Sequence, residues 1–116
     1  MLVDDETAIL EVTQATLETY NYKVMTASNG IDAIAVYVQN QPNIRAVIMD
    51  IMMPTMDGKT AIRTLKKINP QVKIIAVSGL INRQEIVGID GDIAAYLAKP
   101  YNSDDLLETI NDIVSN

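Results

Sequence analysis

Several short apolar runs of this sequence end in polar residues that could take part in chemistry. The acidic pair Asp4 and Asp5 follows the first run, and Asp50 follows the run AVIM. Ser78 and Lys99 follow two later runs. Carboxylates bind hard cations and act as nucleophiles, hydroxyls donate hydrogen bonds, and ammonium groups neutralise anions. Any chemistry must use such groups, because the chain contains no histidine and no cysteine.

Each of these residues also has a purely structural explanation. An acidic pair after a strand most often caps a helix, and Lys-Pro most often forms a turn. Ser78-Gly79 would by itself mark a loop, and Asp57-Gly58 a turn. The functional interpretation therefore depends on whether the fold brings the polar groups to one place.

The apolar runs alternate with longer stretches of helical period, a pattern typical of βα units around a parallel sheet. Strands are predicted at residues 1–3, 23–27, 46–49, 73–77 and 95–98. After a first helix, further helices are predicted at residues 31–39, 59–68, 82–89 and 103–114. With 116 residues, 48% of them apolar, the chain is predicted to be a single α/β domain.

Capping residues and prolines mark the ends of the predicted helices. Asp5 is predicted to cap the first helix. The buried face of that helix is predicted to be Ile9, Thr13, Leu17 and Tyr20. Pro42 and Pro70 are predicted to end the second and third helices. Asn102 or Ser103 is predicted to cap the last one.

Composition and charge argue against several classes of function. A net charge of -6, with nine scattered lysines and arginines, argues against direct nucleic-acid binding. No signal peptide or membrane span is visible, so no membrane insertion is expected. The absence of cysteine is compatible with a reducing compartment, and the predicted location is cytoplasmic.

The predicted fold would gather the polar strand ends at one edge, since ligands of open α/β sheets bind outside the carboxyl ends of the strands. Three carboxylates at one edge would repel one another unless a cation neutralises them. Oxygen ligands of this kind indicate Mg²⁺.

At these positions the sequence resembles the receiver domain of two-component response regulators, over essentially its full length. Receivers carry an acidic pair after strand one, a phosphoacceptor Asp after strand three, Ser or Thr after strand four, and Lys-Pro after strand five. The corresponding residues are Asp4, Asp5, Asp50, Ser78, Lys99 and Pro100. The stretch DIMMPTMDG at residues 50–58 is a typical receiver loop. The resemblance implies a flavodoxin-like (βα)5 fold with a doubly wound sheet of strand order 2-1-3-4-5.

The resemblance also implies a role for each site residue. Asp50 would be the phosphoacceptor nucleophile, and Ser78 and Lys99 would contact phosphoryl oxygens. A cis peptide between Lys99 and Pro100 would aim the lysine back over the site. The domain would promote only its own phosphorylation and dephosphorylation.

The metal site implied by the resemblance uses the same strand ends. Asp5, Asp50 and the backbone carbonyl of Met52 would bind Mg²⁺, and Asp4 would act through a bound water.

Signalling would follow from movement of a switch aromatic, Tyr96, which lies three residues before Lys99. When Ser78 turns toward the phosphoryl group, Tyr96 would follow and alter the surface of helix four, strand five and helix five. A downstream output domain or protein would read that surface. The resemblance implies a phosphohistidine donor, and because this chain has no histidine the donor would be another chain or domain, a histidine kinase or a histidine phosphotransfer protein.

Two other functions are compatible with an Asp nucleophile or with the fold. The first is a phosphohydrolase, but its familiar haloacid-dehalogenase signature needs a second Asp two residues after the nucleophile, where this chain has Met52. The second is a degenerate receiver acting purely as a docking module, although no site residue has been lost.

Met52 and Leu80 are predicted to tune the lifetime of the phosphorylated state. They lie two residues beyond Asp50 and Ser78, positions that flank the path of an attacking water in receivers. Apolar side chains there would shield the phosphoryl group, so hydrolysis is predicted to be slow. The alternative is that both residues merely cover the edge of the core.

Only three residues precede Asp4, which is short for a central strand. We therefore expect the first strand to be clipped. The domain at residues 1–116 would be a stand-alone receiver or one excised from a larger regulator or hybrid histidine kinase.

Overall fold

The computed structural model describes residues 1–53, 58–79 and 93–115, and its strands form one parallel sheet. The strands are β1 (Leu2–Val3), β2 (Thr26–Ala27), β3 (Val47–Asp50), β4 (Ile74–Ser78) and β5 (Ala95–Ala98). They lie side by side in the order β2-β1-β3-β4-β5. This order confirms the predicted flavodoxin-like topology.

Three described helices connect successive parallel strands, as crossovers between parallel neighbours require, and a fourth follows the last strand. They are α1 (Thr7–Thr19), α2 (Gly30–Asn40), α3 (Gly58–Ile68) and a C-terminal helix (Ser103–Val114). A short 3₁₀ turn, Gln41–Asn43, follows α2. The helix predicted at residues 82–89 lies outside the described residues. None of the described helices is both long and apolar enough to cross a membrane.

Two hydrophobic cores cover the two faces of the sheet, because successive strand side chains point to opposite sides. Met49 of β3 packs in a core with Tyr37 of α2 and Ile62 of α3. Ile48, its neighbour in the strand, packs on the other face with residues of α1 and the C-terminal helix. All four residues of β3 are buried, so the two cores fix the carboxyl end of this strand.

Helix α1 differs in detail from its prediction. It buries Leu10, Thr13 and Leu17, whereas Tyr20 lies beyond the last helical residue and is exposed. Asp5 does not cap the helix, because the helix begins at Thr7 and Glu6 therefore occupies the capping position. The prediction that Asp5 is the cap is therefore wrong.

Strand β2 is shorter than the predicted run 23–27. Its two residues pair with Leu2 and Val3, the only residues of β1. Because β1 is its one neighbour in the described sheet, β1 limits its length.

The prolines and the capping residue predicted at the other helix ends are found where expected. Helix α2 ends before Pro42, and α3 ends before Pro70. Asn102 caps the C-terminal helix, and its side chain accepts a hydrogen bond from the amide of Asp105 at 2.8 Å.

Candidate functional site

Asp50 is the last residue of β3 and lies at the carboxyl edge of the sheet between β1 and β4. It is 4% exposed, because the strand that carries it is covered on both faces. Its Oδ1 accepts a hydrogen bond from the amide of Met52 at 3.1 Å. The next residue, Ile51, donates its amide to Val77 of β4 at 2.9 Å. One carboxylate oxygen is thus held by the Met52 amide, and the backbone that directly follows Asp50 is tied to β4.

Lys99 directly follows β5 and returns over the same edge. Its amide donates to the carbonyl of Ser78 at 2.8 Å, which ties the ends of β4 and β5 together. The Lys99–Pro100 peptide is cis, the form that the sequence analysis expected. The ammonium Nζ lies 2.8 Å from Asp4 Oδ2 and 3.3 Å from Asp50 Oδ2. Lys99 therefore bridges two buried carboxylates from different strands.

The acidic pair after β1 completes the cluster. Asp4 is 3% exposed, and its Oδ1 accepts the amide of Glu6 at 2.9 Å. Asp5 is exposed. Carboxylate oxygens of Asp4, Asp5 and Asp50 all lie within 4.8 Å of one another. Three hard oxygen donors at this separation fit a divalent cation such as Mg²⁺.

Burial shifts the protonation of the central groups. Desolvation raises the pKa of Asp50 to about 6, against the opposing effects of the Met52 amide and the Lys99 charge. Burial also lowers the pKa of Lys99, but its hydrogen bond to Asp4 and the charge of Asp50 outweigh this effect, so the pKa lies above its ordinary value. At neutral pH the lysine is charged and most Asp50 is ionised.

Ser78 and Tyr96 lie on the strands beside β3. Ser78 ends β4, is fully buried, and is in register with Ala98, the residue before Lys99. Tyr96 of β5 is half-buried and packs against the core that contains Met49. Both residues are therefore at or near the edge that carries the carboxylates.

Of the two residues predicted to tune lifetime, Met52 is 63% exposed and lies within hydrogen-bonding distance of Asp50 through its amide alone. Met52 therefore lies at the surface next to Asp50, and its effect on the lifetime of the phosphorylated state stays a prediction. Leu80 lies outside the described residues.

Two features of the site were not predicted from the sequence. The carboxylate of Glu6 lies 3.9 Å from Lys99 Nζ, and its one sequence signal is that it directly follows the acidic pair. Gly58 lies against the backbone of Asp50 and Ile51, so closely that a Cβ would overlap both. Its amide also donates to the carbonyl of Ile51 at 2.9 Å. The Asp57-Gly58 dipeptide was the available signal for this contact.

Comparison with known families matches the chain to the response regulator receiver domain over residues 1–111. The chain belongs to this family. It is a CheY-like receiver domain of two-component signalling. Receiver domains interact with histidine kinases and with phosphotransfer or output partners, and they generally bind Mg²⁺ at an acidic pocket, for which the three aspartates are suited.

Individual relatives support the same assignment. The receiver is 32% identical to the chemotaxis protein CheY of Bacillus subtilis over 113 residues, which cover 96% of this chain and 92% of CheY. It is 30% identical to the sensor kinase CckA of Brucella abortus, over 98% of this chain and 12% of the kinase. It also spans 46% of the response regulator MprA of Mycobacterium, at 31% identity over 92% of this chain. Relatives of this receiver thus include proteins far longer than itself.

Solved structures agree with the fold. A receiver domain from Clostridium thermocellum superposes with a TM-score of 0.91 at 30% identity, covering 98% of this chain and 91% of that one. TrrA of Thermotoga maritima, solved in complex with Mg²⁺ and BeF, superposes with a TM-score of 0.87 at 28% identity, covering 97% and 95%.

Proposed function

We propose that this receiver accepts a phosphoryl group from a phosphohistidine onto Asp50, in the presence of Mg²⁺. The observation that carries the proposal is the bridge made by Lys99, whose ammonium group lies 2.8 Å from Asp4 and 3.3 Å from Asp50. A buried carboxylate is thereby placed next to a cation that can stabilise negative charge on a transferring group.

The transfer itself needs no acid or base from this chain. An oxygen of Asp50 attacks phosphorus, the bond from phosphorus to the imidazole nitrogen breaks, and that nitrogen keeps the electron pair. Lys99 and the Ser78 hydroxyl would each contact a phosphoryl oxygen in the product. Asp4, Asp5, Asp50 and the Met52 carbonyl would hold Mg²⁺, which when bound supplies neutralisation of phosphoryl charge.

The proposed output is a change at the surface that contains β5 and the C-terminal helix. Ser78 and Tyr96 lie on neighbouring strands, and Ala76 of β4 is in register with Tyr96. A Ser78 side chain drawn toward the phosphoryl group would leave space for Tyr96, whose movement would alter this surface for a partner. The helix predicted at residues 82–89 would complete the surface.

The experiment is phosphorylation of the purified receiver by acetyl phosphate and Mg²⁺, followed by intact-mass spectrometry. One phosphoryl group should be added to the parent and none to Asp50→Asn. Asp104→Asn is the matched control, because it makes the same change at an exposed position in the first turn of the C-terminal helix. Labelling of Asp50→Asn to the parent level would reject the nucleophile.

A second assay tests the natural class of donor. A histidine kinase or histidine phosphotransfer protein that carries labelled phosphohistidine should transfer its label to the parent receiver and leave Asp50→Asn unlabelled. A receiver that takes phosphate from neither class of donor would instead be a docking module.

A further inference from the structure

Glu6 is the third carboxylate that faces Lys99. Its Oε1 lies 3.9 Å from Nζ, against 2.8 Å for Asp4 and 3.3 Å for Asp50. The Glu6 side chain is 62% exposed, whereas those of Asp4 and Asp50 are 4% and 5% exposed. Because the other two partners are buried, Glu6 is the partner of the ammonium group that lies toward solvent.

The local backbone explains why this carboxylate is available. Glu6 occupies the capping position of α1, yet its side chain makes no capping hydrogen bond. Glutamate is not among the residues that commonly cap through the side chain, which are Ser, Thr, Asp and Asn. The backbone amide of Glu6 donates a hydrogen bond to Oδ1 of Asp4. The backbone is therefore fixed beside the site while the carboxylate stays at the entrance.

The charge balance shows what Glu6 adds. This part of the site holds one ammonium group, its three carboxylate partners and the neighbouring carboxylate of Asp5. They leave three negative charges in excess, and a bound divalent cation would neutralise two. One negative charge remains in excess, and Glu6 is the most exposed of the lysine's three carboxylate partners, so its charge acts on an anion that approaches from solvent.

We propose that Glu6 is a selectivity residue for the phosphodonor, disfavouring small dianionic donors relative to donors of lower negative charge. The inference rests on the proposed phosphorylation of Asp50 and adds a preference among donors. Glu6 makes no bond to the transferring group. Its charge acts on the approach of the donor, so it should change the donor concentration at half-maximal rate more than the maximal rate.

Two small donors that give the same product but differ in net charge can show whether donor charge matters. With acetyl phosphate, a dianion near neutral pH, an Asp50 oxygen attacks phosphorus, the bond to the acetate oxygen breaks and acetate leaves with the electron pair. With phosphoramidate, which carries a protonated nitrogen and one net negative charge, the bond from phosphorus to nitrogen breaks and ammonia leaves. Both reactions give the same aspartyl phosphate. A Glu6 substitution that affects the two donors differently therefore acts on the donor and not on the product.

The test compares the parent with Glu6→Gln and Glu6→Lys at saturating Mg²⁺. The half-maximal concentration of acetyl phosphate should fall by about two- to fivefold in Glu6→Gln, as expected of a screened surface charge, and further in Glu6→Lys. The value for phosphoramidate should fall less in both. Added salt should reduce the differences. Glu11→Gln, which removes the same charge at an exposed position of α1, should match the parent.

Three results would overturn the selectivity role: equal changes for the two donors, a change confined to the maximal rate, or no change in either variant. Thermal unfolding of each variant establishes that it is folded. A parent receiver that is labelled by neither donor would instead contradict the proposed function, so the two failures are distinguishable.

Discussion

Gly58, the first residue of α3, lies directly against the backbone of Asp50, the last residue of β3. A Cβ at Gly58 would overlap the Asp50 carbonyl oxygen and the Cα of Ile51, which are backbone atoms that cannot rotate away. The position of the carboxylate therefore depends on a missing side chain eight residues later in the sequence.

Replacing Gly58 with Ala should force β3 and α3 apart. We expect a loss of about 1–3 kcal/mol in the free energy of unfolding, the usual cost of overpacking, and slower phosphorylation by acetyl phosphate because Asp50 shifts relative to Lys99. Urea unfolding and a time course of labelling measure the two effects. Gly79→Ala is the control for stability, since a Cβ there meets no atom within 4 Å. Equal stability of both variants would contradict the contact.

The raised pKa of Asp50 predicts a pH-dependent difference in stability between the parent and Asp50→Asn. The folded protein holds the Asp50 proton up to about pH 6, whereas the unfolded chain releases it near 3.8. Because the folded state binds more protons in this window, the parent should lose stability relative to Asp50→Asn as pH rises from about 3.8 to about 6. Urea unfolding of both proteins at a series of pH values, without divalent cations, measures this difference in stability. A difference that stays constant with pH would contradict the raised pKa.

Phosphorylation should follow the same ionisation, because the ionised carboxylate is the proposed nucleophile. In metal-free protein the ionised fraction of Asp50 rises through a pH of about 6, and Mg²⁺ should move the transition to lower pH by favouring the charged form. NMR titration of the Asp50 carboxyl carbon, with and without Mg²⁺, reads both transitions. A titration unchanged by Mg²⁺ would argue against a metal at this carboxylate.

Mg²⁺ should stabilise the fold through the aspartate cluster. A concentration of 100 times the dissociation constant would add about 2.7 kcal/mol to the free energy of unfolding. In Asp5→Asn this gain should be much smaller, while metal-free stability changes little because Asp5 is exposed. Glu11→Gln, the same type of change on α1, should retain the full gain. Thermal unfolding with and without Mg²⁺ measures this gain in stability. A gain in Asp5→Asn equal to that of the parent would show that Asp5 does not bind the metal.

Met52→Asn and Leu80→Glu together should speed the loss of the aspartyl phosphate, because polar side chains can orient an attacking water. Met52 is 63% exposed, so Met52→Asn alone should change the free energy of unfolding by less than about 0.5 kcal/mol. Decay of labelled protein after removal of the donor measures the lifetime. The same decay rate in parent and double variant would leave no shielding role for either residue.

The sequence alone determined which residues could meet. Asp4, Asp50, Ser78 and Lys99 each lie at or just beyond the end of an apolar run, and the ends of parallel strands meet at one edge of a sheet. The resemblance of these motifs to receiver domains implied both the family and the strand order, and the family match and the sheet confirm them.

Tertiary structure decided the contacts that depend on where helices begin and how closely they pack. Helix α1 begins at Thr7, which removes Asp5 from the capping position and leaves Glu6 at the entrance beside Lys99. Likewise, α3 begins so close to the end of β3 that Gly58 lies against the backbone of Asp50. Neither contact follows from local pattern, because each is set by packing between segments that are distant or differently oriented in the chain. A shift of one residue in a helix start suffices to redirect a side chain from the helix to the site.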